Sequence, residues 1–280
     1  MENLGYYNGK YDLIENMTVP MNDRVCYFGD GVYDVTMCRN YIPYLMDDHI
    51  DRFYSSASLL KIEIPMSKEE LKELLCDLSK KLDSHEQMMY WQVTRGTAVR
   101  SHAFPEGAKA NLWVTLRPMK VKDMNSHVTL ITVEDTRYLH CNIKTLNLIP
   151  NVMAEQEAKE KGADTAVFHR GEYVTECAHS NIHILKGGKI ITHPADNLIL
   201  PGIARKNILR LSTPLGIPVE ERAFTLDEMF SADEVFVSSS TANCMRVTAI
   251  DGKAVGGKDY GTLHKLQEAF MDDYLKATEA

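Results

Sequence analysis

Lys144, in TRYLHCNIKTLNLIPN, follows an apolar strand-like stretch and precedes a helical one, and Glu176 stands further on in YVTEC. A lysine amine condenses with aldehydes, and a carboxylate beside a pyridine nitrogen keeps that nitrogen protonated so that the ring accepts electrons. The pair therefore has the chemistry of a pyridoxal phosphate site. A phosphate monoester also needs positive charge and converging backbone donors, which helix N-termini and tight hydroxyl-rich turns supply. Three segments offer these. Gly202, Ile203 and Ala204 open a helix after Pro201, where glycine allows close backbone approach to an anion. Ser239, Ser240 and Thr241 follow the strand EVFV, and Arg52 on the first predicted helix can pair a phosphate bidentately. The same segments also serve as an ordinary turn, a strand end and a surface ion pair. In RGTAVRSHAFP, Arg100 and His102 flank a turn and suit either a substrate carboxylate or a solvated surface loop. Tyr33, in FGDGVYDV, can add a hydroxyl to that carboxylate or simply pack.

The elements that carry these residues follow from periodicity and turn chemistry. Residues 3 to 45 alternate short apolar segments with turns, which predicts an antiparallel meander. Ile50, Phe53, Tyr54, Ala57 and Leu60 recur at helical spacing, and SKEELKELLCDLSKKL repeats the pattern behind a Ser67 and Glu70 capping box. Strands return at MMYWQVTRG and NLWVTLRPM, giving a strand-helix-strand domain that ends near RPMKVKDMNSH. Beyond it lie the strand HVTLITVED and the Lys144 segment, then a helix NVMAEQEAKEKG stopped by Gly162. DTAVFHR, EYVTEC, NIHILK and KIITHP read as hairpins. A helix at IARKNILRLS follows, then a strand PVEERAF, a second capping box at Thr225 and Glu228, strands EVFVSSS and MRVTAIDG, and a closing helix TLHKLQEAFMDDYL.

Bulk composition narrows the class. The 280 residues include 31 Lys and Arg against 39 Asp and Glu, a net charge of −8 with no basic block, which argues against nucleic acid as a partner. No basic start leads into an apolar run, and no uncharged apolar stretch approaches the length of about 18 residues needed to span a bilayer, so no membrane partner is expected and the cytoplasm is the expected location. Six scattered cysteines without a C-x-x-C pair read as free thiols, and ten dispersed histidines without ligand spacing predict no metal site.

FGDGVYDV, DDHIDRFYSSA, QVTRGTAVRSHAFP, IKTLNL, AEQEAKEKG, YVTE, THPADNLILPGIAR and EVFVSSST occur in one order along nearly the whole chain. In these blocks the chain resembles the fold type IV pyridoxal phosphate-dependent aminotransferases, and within them most closely the bacterial D-amino acid transaminases. The resemblance implies an α+β fold of two domains. Residues 1–118 form a smaller N-terminal α/β domain, and residues 119–280 a larger C-terminal cofactor-binding domain with antiparallel, barrel-like sheets. It further implies Lys144 as the catalytic residue that carries pyridoxal 5'-phosphate, Glu176 as the pyridinium partner, and Arg52, Ile203, Ala204 and Ser240 around the phosphate. Arg137, in DTRYL, takes a supporting place near the cofactor, and Tyr33, Arg100 and His102 form a carboxylate trap. The implied activity transfers the amino group of D-alanine and similar D-amino acids to 2-oxoglutarate, giving a 2-oxo acid and D-glutamate, in a homodimer with shared active sites.

Two departures bear on that expectation. Ala204 stands where relatives often carry threonine, which leaves a backbone amide and no hydroxyl for the phosphate. CAHSN replaces a hydroxyl-rich run and sets Ala178 and His179 near the ring or substrate pocket. Branched-chain L-amino acid transamination, an aminodeoxychorismate lyase activity and a non-catalytic cofactor-binding protein are the alternatives on the same fold.

Overall fold

A computed structural model describes residues 1–279, and the chain divides into two compact units. The first unit comprises Met1–Lys120, Ile143–Asn147 and the C-terminal residues from Leu275. Its elements are β1 (Leu4–Tyr7), β2 (Lys10–Asp12), a 3-10 turn at Ile14–Asn16, α1 (Arg24–Phe28), β3 (Gly31–Arg39), β4 (Ile42–Pro43), α2 (Met46–Leu59), α3 (Lys68–Ser79), β5 (Glu86–Thr94) and β6 (Asn111–Pro118). The six strands form one antiparallel sheet in the order β2-β1-β6-β5-β3-β4. The opening segment is thus not one meander. β1 and β2 form a hairpin at one edge and β3 and β4 another at the far edge, because β5 and β6 insert between them.

Alternation sets the two faces of this sheet. Val32, Trp91, Val93, Leu112, Val114 and Leu116 point one way and bury against Ile50, Phe53, Ala57, Leu71 and Leu75 of the two helices. Each such side chain stabilises the fold by roughly 1.5–3 kcal/mol. Tyr33 and Gln92 are paired in register and point the other way. The Ser67 and Glu70 capping box is formed with both reciprocal hydrogen bonds, which fixes where α3 begins.

The second unit comprises Val121–Asn142 and Leu148–Tyr274. It holds β7 (His127–Glu134), α4 (Ile149–Glu160), β8 (Thr165–Arg170), β9 (Tyr173–Cys177), β10 (Asn181–Lys186), β11 (Lys189–Thr192), α5 (Ile203–Ser212), β12 (Val219–Glu221), α6 (Leu226–Ser231), β13 (Glu234–Ser239), β14 (Asn243–Ile250) and β15 (Lys253–Ala254), with α7 (Tyr260–Ala277) running out of it. The sheet order is β12-β11-β10-β13-β14-β7-β8-β9, with β15 on β14. Hairpins appear at β8–β9 and β10–β11, but β14–β7, β7–β8 and β11–β12 are parallel. The helix α4 between β7 and β8 is the reason for one of these, since a crossover returns the chain in the same direction.

This sheet must curl. Cys177 ends β9 and Asn181 starts β10, four residues on by number (181 − 177), a reach of at most about 14 Å. In sheet order the two strands are five spacings apart, which would be about 24 Å in a flat sheet. The curl encloses a core of Val128, Leu130, Val167, Val174, Ile182 and Val235, while Ala154 and Ala158 of α4 pack on Ile131, Ala166 and Phe168. Among the described residues no helix is long and apolar enough to cross a membrane.

Candidate active site

The chemistry-bearing residues fall into two groups, one in each unit. In the first unit, residues 143–147 lie antiparallel beside β3. The Tyr33 N–H donates to the Lys144 carbonyl at 3.0 Å, the Leu146 N–H to the Gly31 carbonyl at 3.1 Å, and Val32 bridges to Thr145. Gly31 is required by this crossing, because a Cβ there would sit 2.7 Å from Leu146 Cδ1 and 2.6 Å from the Val93 carbonyl. From the other side, the Lys144 N–H donates to Ser56 Oγ of α2 at 3.2 Å. With its backbone fixed at both groups, Lys144 places Nζ 4.3 Å from the centre of the Tyr33 ring, which stacks on Tyr90 with centroids 5.3 Å apart.

Arg52 lies one helical turn before Ser56, on the same face of α2. Its Nε and Nη2 donate to the two oxygens of Asp34 at 2.9 and 2.7 Å, and His49 Nδ1 meets the same carboxylate at 2.7 Å. Asp34 is wholly buried on the helix-facing side of β3. Burial alone would raise its pKa, but the Arg52 charge, with His49, outweighs that and holds the carboxyl well below the ordinary range. Burial pushes the His49 imidazole below its usual value against the pull of Asp34, so at neutral pH it is an uncharged ring donating from Nδ1. Asp34 is the residue whose signal was available in the sequence: a charge in a core-facing strand position needs a partner.

Arg100 and His102 are exposed and gather around Phe28 at the end of α1. Arg100 Cζ is 5.2 Å from that ring and the His102 ring centroid also 5.2 Å, with Arg24 Cζ at 4.8 Å. Arg24 anchors their loop by donating from Nη1 to the Ser101 carbonyl at 2.6 Å, and from Nε to Asp30 at 2.7 Å. Arg24 and α1 have no counterpart in the sequence reading, since a five-residue helix shows no period.

In the second unit Glu176 is buried on β9. Its Oε1 accepts from Arg137 Nη1 at 2.7 Å, and its Oε2 from Asn181 Nδ2 at 3.1 Å and the Leu200 N–H at 3.0 Å. Arg137 is itself gripped by both oxygens of Asp135 at 2.9 Å and lies over Phe168, 4.5 Å from its centre. Burial would lower the Arg137 pKa, but the hydrogen bond to Asp135 and the charges of Glu176 and Asp135 reverse the sign and raise it further. Asp135 is lowered in turn, against its burial, by Arg137 and Arg170. The result is a Glu176 carboxylate with both oxygens held and its orientation fixed.

Ile203 and Ala204 are the first two residues of α5, after the N-cap Gly202, so their amides face the helix N-terminus, a place where anions bind. Gly202 has an ordinary φ of −65°; what requires glycine is space, because a Cβ would lie 2.0 Å from Asn181 Oδ1. The side-chain amide of Asn181 fills the space that a Cβ would take. Ser240 occupies the turn between β13 and β14, a turn tied by Ser239 Oγ accepting from the Ala242 N–H at 3.2 Å. Ala178 accepts from Asn151 Nδ2 at 2.6 Å, and the exposed His179 meets Glu155 at 3.2 Å.

Residues 31–250 match the family described as amino-transferase class IV. A D-alanine aminotransferase of Listeria monocytogenes serotype 1/2a (strain 10403S) is 41% identical over 269 residues, which is 94% of this chain and 93% of that one. One from Bacillus licheniformis is 39% identical over 275 residues, 97% of each chain. The crystal structure of a branched-chain aminotransferase from Thermoproteus uzoniensis matches with a TM-score of 0.89, over 99% of this chain and 96% of that one, at 22% identity, a likeness of fold. A lysine amine against an aromatic ring, a laced carboxylate and a match over most of the length lead to one conclusion: the chain belongs to the class IV aminotransferases and has their two-domain α+β fold, fold type IV.

Proposed function

We propose that this chain is a pyridoxal phosphate-dependent aminotransferase that moves amino groups between D-amino acids, D-alanine among them, and 2-oxo acids such as 2-oxoglutarate. The observation that carries the cofactor reading is the Lys144 amine 4.3 Å over the Tyr33 ring on a backbone fixed by Ser56 and Tyr33. The donor set fits the group. An amine suits its aldehyde, a buried carboxylate paired with an arginine suits a protonated pyridine nitrogen, and a helix N-terminus with an arginine suits its phosphate. The relatives named D-alanine aminotransferase, similar over more than nine-tenths of the chain, support the D-amino acid substrates.

Bound there, the cofactor supplies an aldehyde for the substrate amine and a ring that accepts electron density. Lys144 Nζ would hold the aldehyde and would move the proton at the substrate Cα. Glu176 would hold a proton at the ring nitrogen, oriented by Arg137. Tyr33, Arg100 and His102 would bind the substrate carboxylate, and by choosing its side would choose the enantiomer. Arg52, Ser240 and the amides of Ile203 and Ala204 would hold the phosphate. Amino-group balance makes D-alanine and 2-oxoglutarate yield pyruvate and glutamate, and a carboxylate trap shared by both substrates would make that glutamate D.

Exposed apolar side chains support a homodimer: Val99 and Phe104 near the carboxylate loop, and Ile149, Val152 and Met153 on one face of α4. Such an enzyme would work in the cytoplasm. A panel of D- and L-amino acids with 2-oxoglutarate, followed by chiral analysis of the glutamate, tests the reading. D-alanine is expected to give D-glutamate and borohydride to label Lys144. Consumption of L-leucine with D-alanine ignored, or pyruvate released without any amino acceptor, would overturn it in favour of a branched-chain transaminase or a lyase.

A further inference from the structure

The strap Leu198–Gly202 leads straight into α5, and it is tied to Glu176 directly and through Arg137 and Asn181. The Leu198 carbonyl accepts from Arg137 Nη2 at 3.3 Å, the Leu200 N–H donates to Glu176 Oε2 at 3.0 Å, and the Leu200 carbonyl accepts from Asn181 Nδ2 at 3.0 Å. Asn181 closes the ring by donating its other Nδ2 hydrogen to Glu176 Oε2 at 3.1 Å. With both hydrogens of Nδ2 used on oxygens, the amide can adopt one orientation only, and Oδ1 faces Gly202. A Cβ at Gly202 would stand 2.0 Å from that oxygen. Asn181 itself is 4% exposed at the start of β10, set beside Glu176 by the tight link in which the Cys177 N–H donates to the Ser180 carbonyl.

We propose that Asn181 is a positioning residue that locks the Glu176 carboxylate to the strap opening α5, so that the partner of the pyridine nitrogen and the amides offered to the phosphate are held in one frame. The inference deepens the cofactor reading above and rests on it. Removing the Nδ2 donors takes a hydrogen bond from the Glu176 carboxylate and another from the Leu200 carbonyl, so cofactor affinity and chemistry fall jointly. The bonds of Glu176 to Arg137 and to the Leu200 N–H do not pass through position 181, so the link is loosened rather than severed.

The test uses full-length protein with Asn181→Leu, which keeps the bulk against Gly202 and lacks the donors, and Asn181→Ala. Apoprotein titrated with pyridoxal phosphate gives the dissociation constant, and the loaded enzyme with D-alanine gives kcat and KM. A loss of about tenfold to a hundredfold in cofactor affinity is expected in both variants, the size of a hydrogen bond to a charged group. With it should come a kcat loss larger than any change in KM. Wild-type affinity with wild-type kcat in both variants would reduce Asn181 to a space filler and overturn the proposal. Wild-type apoprotein that binds no pyridoxal phosphate would overturn the cofactor reading and this inference together. A packing arm is independent of cofactor: Gly202→Ala should lower the melting temperature of the apoprotein and Asn181→Ala added to it should restore it. A Gly202→Ala protein as stable as wild type would remove the contact on which the frame depends.

Discussion

Asp34 in the first unit and Glu176 in the second are both buried carboxylates gripped by an arginine, but their other partners come from different places. Asp34 takes both Arg52 and His49 from α2, so its side-chain partners join one helix to one strand. Glu176 takes Arg137 from the loop after β7, Asn181 from β10 and a backbone amide from Leu200, three segments far apart in sequence. The first arrangement pins an element of the fold and fixes a guanidinium. The second gathers loops around a carboxylate that the proposed function sets against the pyridine nitrogen. On that reading the two arginine–carboxylate pairs divide between stability and chemistry, and substitutions should separate them.

The largest effect is expected at Asp34. Asp34→Asn keeps the shape and leaves the Arg52 charge buried without its counterion, which should lower the urea-unfolding free energy by about 3–5 kcal/mol. Because the folded pKa of Asp34 is depressed, its contribution is complete above the unfolded value near pH 4 and is lost as pH falls below it. Replacing the pair together, as Asp34→Asn with Arg52→Met, should recover much of the stability, since the cost lies in the orphaned cation. A single substitution that unfolds at the wild-type urea midpoint would break the comparison from this side.

Glu176→Gln should do the opposite. Its partners are spread over three segments that the sheet already holds, so the urea midpoint should move little. The loss of negative charge at the ring nitrogen should lower kcat by about a hundredfold, the scale of one preorganised electrostatic contact, while the dissociation constant for pyridoxal phosphate changes less. Wild-type turnover in this variant would remove Glu176 from the reaction.

Legibility in the sequence followed the same division. Devices built within one turn of chain were open to reading: the capping boxes at Ser67 and Thr225 form as their residue types dictate, and the stripe Ile50, Phe53 and Ala57 faces the sheet. The contacts that set Lys144 against β3, or Asn181 against Gly202, join positions with no common period, and a hydrogen bond across the fold leaves no spacing behind. Gly202 shows the limit best. Its residue type announced a close approach, and only the fold could say that the approaching atom is Asn181 Oδ1. The parallel pairings of β14, β7 and β8 were similarly hidden, since alternation gives the faces of a strand and not its neighbours.

Each unit also buries a histidine, and these sharpen the comparison by the smallest effect. His49 has a carboxylate against it, which opposes the lowering caused by burial. His183 of β10 is hydrogen-bonded to the hydroxyls of Thr192 and Ser238, at 2.9 and 2.8 Å, and burial with the Arg205 charge nearby pushes it down to about 3. An unfolded histidine takes up a proton near pH 6.5, so a ring kept neutral in the fold makes the protein less stable as pH falls from there toward the folded pKa. For His183 that window runs from about pH 6.5 to about 3, with a slope of up to about 1.4 kcal/mol per pH unit. His183→Gln should therefore flatten the stability curve across that window, whatever it does to stability at pH 7, and His49→Gln should flatten it less because Asp34 already resists the shift. Urea midpoints measured at half-unit steps of pH decide it. An unchanged slope in His183→Gln would mean that the fold admits a charged ring there, and that the hydroxyl pair does for a cation in the second unit what Asp34 does in the first.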